Sequence, residues 1–370
     1  MFHNKKFYLT LLFGSILAMF FVSPVSANNN EFQNGSIVTL GDSITQGWNG
    51  NQVVSEPYPI ILGKLLNTAV DNQFSIGGAK IDGKENKDLP DTINTFIKSS
   101  SFEKTKVVVL AYGINDLNYS TQSLRNIIIS LKQSISNLHQ ANPDIKIYAI
   151  LPHQSFILPT QNTVGSARFS ENDLLDKMAQ VYQSFGIPVM DWRSNPIITP
   201  ENHLKTLGDS VHPTQKTYQV IAEQLATWML ENQPSTVIEE ESHLDIDTLF
   251  KKGFQVDPHL NSTVYIDQNG AKKTGMWQLS NGTYYYSAID TGSWITNNWV
   301  HANGETYYAS DSGEIIQGVF PVNGVWYDFG KNSTYYVRGP LNGYIYSPSC
   351  STTNGGWNWF ENGIPYTGFR

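Results

Sequence analysis

Residues 36–48 read SIVTLGDSITQGW. Ser36–Leu40 is a short, largely apolar run with three β-branched members, the composition of a strand. Gly41, Asp42 and Ser43 follow at once, and Gly47 closes the next turn. Gly, Asp, Ser and Thr all suit a strand-to-helix turn. The stretch therefore predicts a strand that delivers an acid and a hydroxyl into the start of a helix. The pattern recurs. Apolar runs at Gln73–Ile76, Lys106–Tyr112, Ile145–Leu151 and Ile187–Asp191 predict four more strands. Between and after them lie helical periods. Leu124, Ile127, Ile128, Leu131, Ile135 and Leu138 form one apolar face, and Tyr218, Ile221, Leu225, Trp228 and Met229 another. Pro213 is expected in the first turn of that last helix. Alternating strands and helices imply an α/β fold, a mostly parallel sheet covered on both faces. Ligands in such sheets bind beyond the carboxyl ends of the strands. GDSIT, GGAK, YGIND and LPHQS each sit just past a strand, so four polar loops converge on one rim.

A serine nucleophile needs a base, an acid to orient that base, and donors for the oxyanion. Asp209 and His212 stand three residues apart in GDSVHPT, immediately before the last helix. A three-residue step on a turn brings two side chains together. His153 ends a strand on the same rim and is the alternative base. His139 sits in a helix, and His203 lacks an acid at suitable spacing. Oxyanion donors are expected from the Ser43 amide, from Gly78, where a missing side chain permits close backbone approach, and from the Asn115 side chain. Trp48, Tyr112 and His153 are expected to line the substrate pocket. No His, Asp and Glu grouping has metal-ligand spacing outside the Asp209–His212 region, so no metal and no cofactor is expected.

The chain of 370 residues has room for two domains. Lys5 and Lys6, an apolar run from Phe7 to Val22, and SPVSA predict a secretory signal peptide over residues 1–27. No later segment reaches membrane-spanning length. Lys and Arg number 24 against 32 Asp and Glu, with no basic cluster, which argues against a nucleic-acid partner. Cys350 is the single cysteine, so no internal disulfide can form. An exported chain without disulfides points to a Gram-positive bacterium.

Composition shifts near residue 260. Beyond it lie six of nine Trp and twelve of nineteen Tyr, which makes the rest of the chain a different kind of structure. Asn-Gly recurs at Asn281, Asn303, Asn323, Asn342 and Asn362, in steps near twenty, between aromatic runs such as WVHANGETYY. Asn-Gly flanked by such runs predicts β-hairpins, and a regular period predicts an array of them. Residues 28–232 are thus read as a first domain, 233–260 as a linker and 261–370 as a hairpin repeat domain that folds separately.

Gly41–Asp42–Ser43, Gly78, Gly113–Ile114–Asn115–Asp116 and Asp209–Ser210–Val211–His212 stand in the order of the four sequence blocks of the SGNH or GDSL-type hydrolases, which residues 35–232 resemble. The resemblance implies a flavodoxin-like three-layer α/β/α sandwich and metal-independent ester hydrolysis. It implies Ser43 as nucleophile, His212 as base, Asp209 as its orienting acid, and Ser43, Gly78 and Asn115 around the oxyanion. Residues 262–370 resemble the cell-wall-binding repeats of choline- and glucan-binding surface proteins. Together these imply a secreted, wall-associated serine esterase. Its partners would be an acylated substrate, O-acetylated wall or plant polysaccharide among them, and a wall glycan or teichoic acid held by the repeats. The alternatives are a lipase or thioesterase acting on lipid-like acyl esters, and a non-catalytic wall-binding protein.

Overall fold

The structure is a computed structural model that describes residues 32, 35–234, 244–330, 337, 339–347 and 356–365. The expected signal peptide and Cys350 lie outside them. Five strands form one sheet: β1 (Ser36–Gly41), β2 (Ala69–Asp71), β3 (Thr105–Ala111), β4 (Lys146–Ile150) and β5 (Val189–Met190). All neighbours pair in parallel, in the order β2-β1-β3-β4-β5. That is the flavodoxin-like order, whose topological switch point falls between β1 and β3. Burial on both faces explains the unbroken apolar runs: Val107, Val108, Val109 and Leu110 are all at most 1% exposed.

The helices are α1 (Ser43–Gln46), α2 (Tyr58–Leu66), α3 (Leu89–Ile97), α4 (Ile114–Tyr119), α5 (Leu124–Ala141), α6 (Glu171–Ser184), α7 (His203–Thr206), α8 (Gln215–Glu231) and α9 (Ile246–Leu249). They cover the sheet in two layers. Helices α3, α5 and α6 bury Ile93, Ile127, Leu131, Ile135 and Met178 against one face. Helices α2 and α8 bury Ile61, Leu62, Tyr218, Leu225 and Met229 against the other. The result is the expected three-layer sandwich.

Two local expectations are corrected. The second strand lies at Ala69–Asp71, not Gln73–Ile76. Asn72 takes the chain out of the ladder: its side chain accepts from Thr39 Oγ1 at 2.6 Å and donates to the Thr45 carbonyl at 2.9 Å. Ser75 returns only for an isolated bridge to Gly41. Pro213 precedes α8 instead of entering its first turn, because Thr214 is the N-cap and accepts from the Thr217 amide.

After the sandwich come antiparallel hairpins: β6 (Gly253–Asp257) with β7 (Ser262–Ile266), β8 (Gly275–Gln278) with β9 (Tyr284–Ser287), β10 (Asn298–Ala302) with β11 (Glu305–Ala309), and β12 (Val319–Val322) with β13 (Val325–Asp328). A last group joins β14 (Gly343–Ser347), β15 (Gly356–Glu361) and β16 (Ile364–Pro365). At Asn303–Gly304, Asn323–Gly324 and Asn362–Gly363 both residues have positive φ, as a type I′ turn requires. Asn342–Gly343 is not a hairpin turn; it leads into β14. The rings pack on one another: Trp277 stacks on Tyr285 at 5.0 Å, and Trp299 meets Tyr308 and Tyr327 edge-on at 5.1 Å.

The stretch read as a linker, 233–260, carries α9 and β6, and it does not run free of the sandwich. Phe250 is 4% exposed and belongs to the core of α5 and α6, with Leu244, Ile246 and Leu249 packed against that core. Arg125 pairs with Asp247, and the Arg125 amide donates to the Asn269 carbonyl at 3.2 Å. Lys272, 1% exposed, sits between Asp173 of α6 at 3.0 Å and Asp257 of β6 at 2.7 Å. A boundary at residue 232 therefore cuts through a packed unit. Removing one member of a buried ion pair typically costs about 3–5 kcal/mol. Lys272→Ala is accordingly expected to lower the urea midpoint of the full chain strongly, with Lys272→Met losing less because it fills the space.

Candidate active site

Asp42 caps α1, its carboxylate accepting from the Ile44 amide at 2.9 Å. That cap turns the chain sharply after β1 and leaves Ser43 at the rim, half-buried. Ser43 Oγ lies 2.9 Å from His212 Nε2. His212 Nδ1 lies 2.7 Å from Asp209 Oδ2. A carboxylate only accepts, so the ring donates from Nδ1 and presents the lone pair of Nε2 to the serine. Asp209 is fixed by more than the ring: its Oδ1 accepts from the amides of Val211 at 2.7 Å and His212 at 2.8 Å. Partial burial would raise the Asp209 carboxyl, but the His212 amide and ring and the Val211 amide together hold it below its ordinary value. The loop that carries it comes within contact of the loop after α1. A Cβ on Gly208 would stand 1.9 Å from the Asn49 carbonyl oxygen, so only glycine fits there.

Gly78 has φ +74°, a left-handed conformation that favours glycine. Asn115 is 7% exposed at the start of α4, and its Nδ2 donates to the Ala79 carbonyl at 3.0 Å. One bond fixes the amide beside the Gly78 loop and leaves its second hydrogen uncommitted. Asp116 anchors the same loop from below. Its carboxylate accepts from the Ile81 amide at 2.8 Å and the Asp82 amide at 3.1 Å. Asp116, within YGIND, has no role that its sequence position reveals. Nothing local marks it, since both amides lie more than thirty residues away.

The three expected pocket residues separate. His153 is 7% exposed, its Nδ1 donating to the Gln154 carbonyl at 2.9 Å. Burial pushes its pKa down to about 4, against that carbonyl, so the ring is neutral at pH 7. Ser43 meets His212 and not this ring. Tyr112 is fully buried and lines a void of about 30 Å3 with Asp42, Thr45, Tyr58 and His153, so it underlies the site. Trp48 continues the turn: its amide donates to the Ser43 carbonyl at 2.8 Å and its carbonyl accepts from Tyr218 at 2.6 Å. Among the described residues no three His, Cys, Asp or Glu side chains gather as metal ligands. No described helix is long and apolar enough to cross a membrane.

Asp42 carries a pH signature. Burial pushes its carboxyl up to about 7, against the donating amides of Ile44 and Thr45. The unfolded chain releases this proton near pH 4. Between about pH 4 and 7 the folded state therefore holds the extra proton, and stability from this group falls as pH rises. Asp42→Asn keeps the cap and removes the titration. Its stability relative to the parent is expected to rise by about 1.4 kcal/mol per pH unit through that window and to level off above it. Urea unfolding of both chains at pH 5, 6, 7 and 8 measures the difference; a constant difference would contradict the buried protonated acid.

Residues 39–220 match the model of the GDSL-like lipase/acylhydrolase family. Among solved structures the chain is similar to the lipase/acylhydrolase from Enterococcus faecalis, at 18% identity over 54% of this chain and 98% of that one, with a TM-score of 0.39. It is similar to a family two carbohydrate esterase from Clostridium thermocellum, in complex with cellohexaose, at 19% identity over 54% and 64%, with a TM-score of 0.37. CbpJ from Streptococcus pneumoniae is similar at 23% identity over 31% and 35%, with a TM-score of 0.23. No curated protein matches the chain.

Proposed function

We propose that this chain is a serine ester hydrolase that removes acyl groups, O-acetyl among them, from cell-wall or plant polysaccharide. The observation that carries the reading is the hydrogen-bonded series from Ser43 Oγ to His212 at 2.9 Å and from His212 to Asp209 at 2.7 Å. Ser43 Oγ attacks the ester carbonyl while His212 Nε2 takes its proton. The oxyanion is met by the amides of Ser43 and Gly78 and by the free hydrogen of Asn115 Nδ2. The protonated His212, held by Asp209, gives its proton to the leaving alkoxide, which departs as the alcohol and leaves acyl-Ser43. Water, activated by His212, then releases the acid and restores the serine.

The finer reading adds location. Residues 1–27 direct export, and the aromatic hairpins hold the enzyme at a surface by binding a wall glycan or a teichoic acid. Flat indole and phenol rings suit sugar faces and quaternary ammonium groups alike. The test is a panel on the full chain: 4-nitrophenyl acetate, butyrate and palmitate, acetylated xylan, and co-sedimentation with isolated walls. Highest kcat/KM on the acetate, acetate release from xylan and sedimentation with walls are expected. Preference for palmitate would replace this reading with the lipase one.

A further inference from the structure

A second cleft opens on the same rim, beyond β4 and β5. It has a volume of about 490 Å3 and is walled by His153, Gln154, Asn172, Trp192, Arg193 and His259, with three prolines between them. That volume lies within the range of small-molecule sites, about 300–1,000 Å3. Neither Ser43 nor His212 borders it. Ser43 follows β1, and β4 lies two places along the sheet, so the cleft stands about two strand spacings, or about 10 Å, to one side of the nucleophile. His259 comes from the turn between β6 and β7, so the first hairpin completes the wall.

Charge in the cleft is already spent. Arg193 donates from Nε and Nη2 to Asp191, and from Nη1 to Asp176 at 2.7 Å and Asn172 at 3.1 Å. Burial would raise the Asp191 carboxyl, but Arg193 holds it below its ordinary value, so the pair stays ionised. Asp176 is shared with His259 Nε2 at 2.8 Å. An anionic ligand meets a guanidinium with a single uncommitted hydrogen and two carboxylates beside it. A cationic ligand meets carboxylates that already hold Arg193. An acyl chain would desolvate the Arg193–Asp191 pair and the Gln154 amide and offer no partner to the last Arg193 hydrogen or to that amide, which is costly. A pyranose ring suits this wall: its hydroxyls can pair with the Gln154 amide and the Arg193–Asp191 edge, and its C–H face can lie on Ile197 and the prolines, with Trp192 and Ile198 buried beneath them.

We propose that this cleft is a distal subsite for a neutral sugar unit of a glycan whose acylated residue lies at Ser43, and that the first hairpin is part of the subsite. The proposal rests on the esterase reading and adds a preference for chain length. Its test compares kcat/KM of the full chain on acetylated xylotetraose and on acetylated xylose. The tetrasaccharide is expected to be favoured at least tenfold. Ile197→Trp, which extends a half-buried wall residue into the cleft, and Gln154→Ala, which removes a hydrogen-bonding group, are each expected to cut that ratio several-fold. A ratio is read within one preparation, so loss of folded protein cancels. An unchanged ratio in both variants, or no preference in the parent, overturns the subsite. If neither ester is cleaved, the esterase reading fails instead. Calorimetric titration of the parent and Ile197→Trp with unacetylated xylotetraose and with trigalacturonate then decides the cleft alone. Binding of the neutral glycan that Ile197→Trp weakens tenfold supports it, and tighter binding of the anion or no effect of the variant overturns it.

Discussion

Ser43→Ala is expected to lower kcat on 4-nitrophenyl acetate by about four to six orders of magnitude, the range found when one member of such a unit is removed. Ser43 Oγ and His212 Nε2 are already within bonding distance at 2.9 Å, so the proton has one place to go. His212→Ala should cost about as much, and the double variant no more than either alone, because the two act in one step. Asp209→Asn should retain more activity. It keeps a hydrogen-bonding group beside Nδ1, yet it removes the charge that favours the imidazolium. All three positions are on the rim and only partly buried, so the urea midpoints should stay close to the parent's. Steady-state rates, with the folded fraction of each variant measured by urea unfolding, separate loss of chemistry from loss of protein. A Ser43→Ala chain with more than a tenth of the parent kcat would exclude Ser43 as the nucleophile.

The legibility of the site follows from where its contacts lie along the chain. Asp209 and His212 are three apart, and Asp42 caps the turn that carries Ser43, so local spacing exposes them. Strands β1 and β3 were legible because both faces are buried, which forces continuous β-branched runs. Strand β2 was not, because three residues at a sheet edge carry little pattern, and the chain leaves the ladder through Asn72, whose partners are Thr39 and Thr45. Asp116 stayed hidden for a similar reason, since its partners come from elsewhere in the chain, and so did the contacts of Arg193 with Asp176 and Asn172 of α6. DWRSNP does follow a strand onto the rim, so its position, though not its pairing, could have marked the second cleft. Lys272 stands next to Lys273 and looks like a solvated charge; only the fold brings Asp173 and Asp257 to it.

That docking decides how the chain can be divided. A chain ending at Asn232 keeps every proposed catalytic residue, and from composition alone it would be expected to behave as a complete enzyme. It loses Phe250, whose ring is 4% exposed against α5 and α6, and the cation that faces Asp173. Truncating a buried Phe to Ala costs about 3–5 kcal/mol. Leu244, Ile246 and Leu249 pack on the same core, and the Lys132 ammonium loses the Leu244 carbonyl it donates to at 2.8 Å. For a domain near this size each kcal/mol moves Tm by about 2–4 °C. The chain ending at Asn232 is therefore expected to melt about 10 °C or more below the full chain. It should hydrolyse 4-nitrophenyl acetate at close to the full rate only at low temperature, where it is still folded. A chain ending at Asn297 retains β6 to β9, including Lys272 and Asp290, whose carbonyl accepts from the Val164 amide at 2.7 Å. It should melt with the full chain while losing the later hairpins and most of the sedimentation with walls. Calorimetry of the three chains, with rates at 10 and 37 °C, makes the comparison. Equal melting of the chains ending at Asn232 and at Asn297 would mean that the contacts of Phe250 and Lys272 contribute nothing to the sandwich, and the two halves would then be independent.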